Sequence, residues 1–124
     1  MKRFIFEEEH EMFRESFRAF MQKEIVPNRE EWQKAGMVPR EAYLKAGEMG
    51  FLVPQAPEEL GGLGLEDFRF QQIIAEEMGK CGETGFISNL HTSIVAPFIL
   101  NYASDELQKK YIPHAVTGEL ILGV

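Results

Sequence analysis

Apolar residues recur every three or four positions along most of the chain, a spacing that predicts amphipathic α-helices. The first stripe consists of Phe6, His10, Phe13, Phe17, Phe20 or Met21, and Ile25. Pro27 is expected to end this helix, because proline interrupts the helical hydrogen-bond ladder. A short helical turn over residues 29–34, anchored by Trp32, should then stop at Gly36. A third helix is predicted over residues 39–48, with proline at its first position.

The second half of the chain contains three further helical patterns. Asp67 is expected to cap the fourth helix. Its stripe consists of Phe70, Ile73, Ile74, Glu77 and Met78. The fifth helix is predicted over residues 85–96, where Pro97 breaks or kinks it and the apolar residues 98–100 continue the segment. The sixth should begin after Ser104 and stop at Pro113. Because the pattern shows no internal repeat and no long linker, we predict an all-α fold, a bundle of about six helices in one domain.

The last residues break the helical pattern. Residues 120–124 form a short apolar run after the turn at Thr117 and Gly118, which predicts the start of a buried strand. The other short extended segment covers residues 51–53, and two such segments do not form a stable sheet. We therefore expect residues 1–124 to be a helical domain whose last residues, about 120–124, begin a β domain further along the natural chain.

The chain is acidic, since 13 Lys and Arg against 20 Asp and Glu give a formal net charge of −7. This charge argues against nucleic-acid phosphate or an anionic membrane as the main partner. The single cysteine, Cys81, can form neither an internal disulfide nor a zinc tetrad, so a cytoplasmic location is expected. No apolar run approaches the roughly 20 residues that span a bilayer, and the acidic N-terminus is unlike a signal or transit peptide.

Three patterns that resemble chemical sites are better explained structurally. Residues 61–64 contain three glycines but lack the spacing of a dinucleotide or phosphate loop, which favours a tight turn. His10, His91 and His114 form no pair at metal-ligand spacing, so no metal site is predicted. Ser88 and His91 could meet across one helical turn, but no G-x-S-x-G elbow surrounds them, and we interpret both as helix surface.

Glu77 is the residue whose position points most clearly to chemistry. It falls on the apolar stripe of the fourth helix, where a carboxylate is costly unless it is paired. One hypothesis makes it a general base with a shifted pKa. The other, which we favour, makes it part of a salt bridge or an acceptor of backbone hydrogen bonds at a neighbouring helix end.

The fifth helix mixes small polar residues with large apolar ones. The polar residues are Ser88, Asn89, His91, Thr92 and Ser93, and the apolar ones are Phe86, Ile87, Leu90 and Ile94. Such a mixture is typical of the wall of a pocket that binds a partly apolar ligand. An ordinary solvated helix face explains it equally well, and the residues alone leave both interpretations open.

The order of motifs from the first helix to the last residue resembles the N-terminal helical domain of the acyl-CoA dehydrogenases. The similar segments are FEEEHEMFRESFRAFMQKEIVPNREEWQKAG, PREAYLKAGEMGFLVPQAPEELGGLGLEDF, IIAEEMGKCG and ASDELQKKYIPHAVTGELILGV. Residues 30–36, together with Ile94 and Val95 at the end of the fifth helix, look most like the long-chain branch of that family.

The resemblance implies a parent enzyme with a helical N-terminal domain, a middle β domain and a C-terminal four-helix domain. Enzymes of this family convert fatty acyl-CoA to its α,β-unsaturated form. A carboxylate takes the α proton, the β hydride passes to N5 of FAD, and an electron-transferring flavoprotein reoxidises the flavin. The resemblance also implies a homo-oligomer, commonly a tetramer.

The resemblance assigns few site residues to this chain. The family's catalytic glutamate lies in the C-terminal domain, so no catalytic residue is expected here, and Glu77 does not match one. By position, the wall of the acyl pocket would comprise Phe86, Asn89, Leu90 and Ser93. Val124 would make the first contact with the flavin, whose site lies mostly beyond this sequence. These 124 residues alone should therefore be inactive.

Two alternatives belong to other functional classes. The chain could be a free-standing helical module that binds an acyl chain or a protein without catalysis. It could also be a non-catalytic relative of the family that pairs with a catalytic flavoprotein subunit. A severed enzyme domain should expose an apolar patch where the other domains dock, whereas a free-standing module should not.

Overall fold

The computed structural model describes residues 3–82 and 85–124 of the chain, and within these ranges the fold is helical. The α-helices are α1 (Glu8–Phe20), α2 (Arg29–Ala35), α3 (Arg40–Glu48), α4 (Phe68–Cys81), α5 (Ala96–Tyr102) and α6 (Asp105–Thr117). Two π-helical segments, Met21–Ile25 and Leu90–Val95, and two 3-10 turns, Val26–Asn28 and Glu58–Leu60, connect them. The described residues contain no strand, and the predicted all-α class is confirmed. None of their helices is long and apolar enough to cross a membrane.

The first helical segment ends near Pro27, as predicted. Helix α1 passes at Phe20 into the π-helical segment Met21–Ile25, and the 3-10 turn that contains Pro27 separates this segment from α2. Pro27 lies at the beginning of the 3-10 turn, where its missing N–H costs little. Helix α2 ends as predicted at Gly36, which adopts the left-handed conformation with φ of 73°.

The predicted stop of the sixth helix at Pro113 is wrong. Helix α6 continues through Pro113 to Thr117, because burial of Ile112 and Ala115 compensates for one lost backbone hydrogen bond. Its predicted cap is confirmed, since the Leu107 amide donates to the Ser104 hydroxyl. Pro97 lies in the first turn of α5 directly after a π-helical segment, so the predicted irregularity at Pro97 is a change of helix type and the helical chain continues to Tyr102.

Two clusters of buried side chains form the core. The first joins α1, α3 and α4 around an aromatic group in which the rings of Phe17 and Phe51 lie 5.0 Å apart and those of Tyr43 and Phe86 also lie 5.0 Å apart. The second packs Val53 of the α3–α4 connection against α5 and α6. The connection between α3 and α4 therefore contributes buried residues to both clusters.

The glycine-rich segment is a tight turn, as predicted. Gly61 and Gly64 have φ of 92° and 67°, a conformation that favours glycine. The Gly64 amide donates to the Ala56 carbonyl at 2.9 Å, which closes the turn on itself. A Cβ at Gly62 would overlap the backbone of Ala56, so the loop also needs a glycine for close packing. The turn thus folds against its own chain and presents no phosphate cradle.

The C-terminal residues 120–124 adopt no regular structure. Leu122 is buried in the second core cluster, whereas Val124 is 99% exposed. A strand requires a neighbouring strand, so the prediction that this segment begins a β domain stays a prediction.

Candidate functional site

The segment Leu90–Val95 is the structural centre of the candidate site. It is π-helical, and a π turn inserted into an α-helix frequently marks a functional position. Its Thr92 hydroxyl accepts a hydrogen bond at 3.2 Å from the amide of Val53, whose φ of 48° is unusual for a β-branched residue. Strain of this kind persists only where the surrounding structure fixes it, so the π-helical segment and the α3–α4 connection hold each other in place.

The end of the π-helical segment and the following helix α5 together present an apolar face to solvent. Ile94, Phe98 and Tyr102 recur every four residues, and all three side chains are exposed, Phe98 by 63% and Tyr102 by 82%. The rings of Phe98 and Tyr102 lie 6.0 Å apart. An exposed apolar face formed by three residues spaced four positions apart indicates a surface that another domain, ligand or protein covers.

The four predicted pocket-wall residues have different environments. Phe86 is 1% exposed and packs against Phe20 and Tyr43 in the aromatic core. Asn89, Leu90 and Ser93 are half-buried on the π-helical segment and the turn before it. The Ser93 hydroxyl is itself buried, yet within the described ranges it has no hydrogen-bond partner. Three of the four residues are therefore half-buried within five consecutive positions, whereas Phe86 belongs to the core.

The structure also contains a concave surface, close to the start of the π-helical segment, that the sequence does not predict. Its cavity of about 620 Å³ lies between α2, α3 and the C-terminal segment. The lining includes Trp32, Met37, Tyr43, Ile87 and Ile121. These residues come from three separate parts of the chain, so no local pattern predicts that they meet.

Ser88 and His91 are buried, and their prediction as helix surface is wrong. The Ser88 hydroxyl lies 3.2 Å from the Met78 sulfur, and His91 is completely buried. His91 Nε2 lies 2.8 Å from the Ala115 carbonyl, and the Leu122 amide donates to His91 Nδ1 at 3.0 Å. Because both ring nitrogens are engaged elsewhere, the two side chains form no nucleophile–base pair.

Glu77 is ion-paired, and the favoured structural interpretation is confirmed. It is buried on α4, where its carboxylate accepts from Arg18 Nε at 2.9 Å, Arg14 Nη1 at 3.0 Å and Lys80 Nζ at 3.1 Å. The hydrogen bond from Arg18, followed by those from Arg14 and Lys80, lowers the pKa of Glu77 to about 2 despite its burial. A carboxylate that stays ionised at neutral pH in this way is a poor proton acceptor.

Two glutamates lie close to a histidine at the start of α1. Ligand atoms of Glu7, Glu9 and His10 lie within 4.8 Å of one another. His10 Nδ1 accepts from the Glu7 amide at 2.9 Å, and Nε2 lies 2.9 Å from an Asp67 oxygen. Both ring nitrogens are therefore engaged in capping α1 and tying it to the start of α4, a structural role that explains the cluster.

The site as a whole is suited to binding. The described residues assemble an apolar helix face, a half-buried π-helical wall and an adjacent cavity. The carboxylate and the histidine with the most suggestive sequence positions are both fully hydrogen-bonded inside the fold. These features describe a helical domain with an exposed apolar face.

Comparison with known proteins identifies that domain. The family model described as acyl-CoA dehydrogenase, N-terminal domain, matches residues 7–119, so the chain belongs to the acyl-CoA dehydrogenase family. The mitochondrial long-chain specific acyl-CoA dehydrogenase of Sus scrofa is 44% identical over 94% of this chain and 27% of its own length. The mitochondrial short-chain specific enzyme of Rattus norvegicus is 34% identical over 92% of this chain and 28% of its length.

The same relationship holds in three dimensions. The acyl-CoA dehydrogenase of Geobacillus kaustophilus has a TM-score of 0.90 and 44% identity, covering 94% of this chain and 30% of that chain. The predicted similarity to the long-chain branch is confirmed by the higher identity to the long-chain enzyme. The chain spans less than a third of the length of these relatives. The two curated relatives named above are mitochondrial, and the cytoplasmic location stays a prediction.

Proposed function

We propose that this chain supplies one wall of the acyl pocket in an FAD-dependent enzyme that α,β-dehydrogenates long-chain fatty acyl-CoA. The observation that carries the proposal is the exposed apolar face of Ile94, Phe98 and Tyr102 next to the half-buried π-helical segment Leu90–Val95. A free-standing module would be expected to cover such a face with its own residues. The identity to the long-chain enzyme supports a long-chain substrate.

The wall would be formed by Asn89, Leu90 and Ser93, with Phe86 supporting it from the core. An acyl chain gains affinity mainly by leaving water, so a wall of apolar and small side chains suits it. The buried Ser93 hydroxyl has no hydrogen-bond partner among the described residues, so a ligand or an adjoining domain could satisfy it.

The residues of this chain fit a minor role in flavin binding. The family resemblance assigns Val124 the first contact with the flavin, and the aliphatic side chain of Val124 suits the flat ring of FAD. The bound flavin would supply the hydride acceptor, and this chain would contribute an apolar contact that orients it. The electron-transferring flavoprotein as electron acceptor, and assembly into a homotetramer, are part of the same proposal and follow from the family.

The proposal predicts that the 124-residue chain is inactive when it is alone. Purified chain mixed with FAD and a long-chain acyl-CoA should give no acyl-CoA-dependent dye reduction, because the family resemblance assigns the catalytic carboxylate and most of the flavin site to domains outside these 124 residues. The intact mass of the polypeptide in its own cell provides a second test. A mass well above 14.2 kDa is expected. Steady dye reduction by the chain alone, or a native mass near 14.2 kDa, would overturn the proposal.

Ser93→Phe in the complete enzyme should shift its preference towards shorter acyl chains. The larger side chain would fill the wall where the serine hydroxyl is now buried, so the ratio of kcat/KM for short over long substrates should rise by about tenfold. Ser16→Phe is the matched control, because Ser16 is exposed on α1. An unchanged chain-length profile for Ser93→Phe would remove this residue from the wall.

A further inference from the structure

His91 is the one described histidine that lies fully buried in contact with the C-terminal segment. Its two hydrogen bonds fix its protonation state. The Ala115 carbonyl can only accept, so Nε2 must carry the proton, and the Leu122 amide can only donate, so Nδ1 must be unprotonated. The ring is therefore neutral and restricted to one tautomer, with Ala115 on one side and Leu122 on the other.

The hydrogen bond to Nδ1 is important for the position of the C-terminal residues. Leu120 is held by the His114 carbonyl at 3.0 Å. Beyond Leu120, the bond from Leu122 to His91 is the one hydrogen bond that the described residues give to the segment. His91 itself lies within the π-helical segment Leu90–Val95. One imidazole thus links the proposed pocket wall to the segment that ends at Val124.

We propose that neutral His91 is a positioning residue that fixes residues 120–124 relative to the pocket wall, and that its protonation releases this segment. Protonated Nδ1 would face the Leu122 amide, so two donors would oppose each other and the bond would be lost. If Val124 contacts the flavin, release of the segment would also disturb the orientation of the flavin; this consequence rests on the proposed function, whereas the loss of the hydrogen bond does not.

The surroundings of His91 favour the neutral ring. Burial lowers its pKa below the ordinary value of 6.5, with the Ala115 carbonyl acting in the opposite direction. On the neighbouring α6 and C-terminal segment, His114 and Glu119 are exposed and pair with each other at 3.4 Å. On the α3–α4 connection, Glu58, Glu59 and Glu66 are exposed, and Asp67 pairs with Arg69 and His10. On α4, Glu76 and Glu77 pair with arginines of α1, and Lys80 pairs with Glu77.

The sign of the pH dependence follows from this lowered pKa. Between the folded pKa and 6.5, the unfolded chain binds a proton at this position and the folded chain does not. The contribution of His91 to stability is therefore complete above 6.5 and is lost as the pH falls below that value. Release of the segment should accompany protonation of the folded state, at a pH below 6.5.

The matched variants His91→Asn and His91→Gln separate positioning from general stability. The Asn side-chain oxygen can replace Nδ1 and accept from Leu122, whereas the Gln amide can replace Nε2 and donate to Ala115. Each variant loses one buried hydrogen bond, so both should be destabilised to a similar extent. Only His91→Gln should free the Leu122 amide.

The test is NMR spectroscopy of the 124-residue chain. Imidazole nitrogen shifts should show the Nε2–H tautomer at neutral pH, and acidification should remove protection of the Leu122 amide together with the His91 titration. At neutral pH, Leu122 exchange should be about tenfold faster in His91→Gln than in wild type and near wild type in His91→Asn. Equal Leu122 protection in both variants, or wild-type protection that ignores the protonation of His91, would overturn the proposal.

This readout contains neither flavin nor acyl-CoA, so its failure would leave the proposed function intact. Conversely, a complete enzyme that is inactive while the Leu122 response is as expected would count against the proposed function and leave the His91 proposal intact. The wild-type titration needs no variant, and it decides the question even if both substitutions prevent folding.

Discussion

Gly47→Ala should destabilise the fold by about 3 kcal/mol. Gly47 lies where α3 crosses the end of α6, and a Cβ there would overlap the Thr117 carbonyl and lie 2.9 Å from the Val116 carbonyl oxygen. Both obstacles are backbone atoms, which cannot rotate away as a side chain can. The end of α6 approaches α3 closely at a second position, because a Cβ at Gly118 would overlap the Tyr43 carbonyl.

Urea denaturation of Gly47→Ala and wild type measures this effect as a difference in the free energy of unfolding. Gly79→Ala is the matched control, since Gly79 also lies within a helix but a Cβ there meets nothing within 4 Å. This control should gain about 1 kcal/mol from the higher helix propensity of alanine. If both variants change stability alike, close backbone packing does not set the α3–α6 geometry.

Glu77→Gln should destabilise the fold by about 2 kcal/mol. The substitution keeps the shape of the side chain but removes the charge that Arg14, Arg18 and Lys80 share. Arg14 is also buried, and it retains Glu76 at 2.9 Å, so the loss should stay below that of a fully unpaired buried charge. The free energy of unfolding at neutral pH measures this difference.

Glu11→Gln is the control for the Glu77 prediction. Glu11 also contacts Arg14, at 3.5 Å, but its side chain is exposed, so the change should cost less than about 0.5 kcal/mol. Acid titration gives a second readout. The hydrogen bonds from Arg18 and its neighbours lower the pKa of Glu77 to about 2, so its contribution is complete above 4.5 and is lost as the pH falls towards 2. Glu77→Gln should flatten the pH dependence there; equal stability of the Glu11→Gln and Glu77→Gln variants would contradict the structural role.

The helical pattern is predictable from the sequence because it depends on local spacing. The apolar stripes of α1 and α4 and the Ser104 cap follow from residues within a few positions of one another. The effect of Pro113 is not predictable in this way. Pro113 lies inside α6 because Ile112 and Ala115 are buried in a core formed by segments that are distant in sequence. Tertiary burial therefore overrides the local tendency of proline to end a helix.

The residues of the candidate site also differ in whether local sequence alone predicts their role. Glu77 could be interpreted correctly because its position on an apolar stripe alone requires a partner. His91 could not, since its burial depends on α6 and residues 120–124, which are remote in sequence. The cavity beside Trp32 also combines three remote segments. Polar residues on a helix therefore say little about exposure until the packing of the other helices is known.

A chimera tests most directly whether this chain is a working domain of an acyl-CoA dehydrogenase. The chain would replace the matching 27% of the Sus scrofa long-chain enzyme, to which it is 44% identical. The measurement is anaerobic bleaching of bound FAD on addition of a long-chain acyl-CoA, with the porcine enzyme as positive control and the isolated chain plus FAD as negative control. We expect the chimera to bind FAD and bleach, and the isolated chain to remain unreactive. A folded, FAD-loaded chimera that a long-chain acyl-CoA does not reduce would contradict the proposed function.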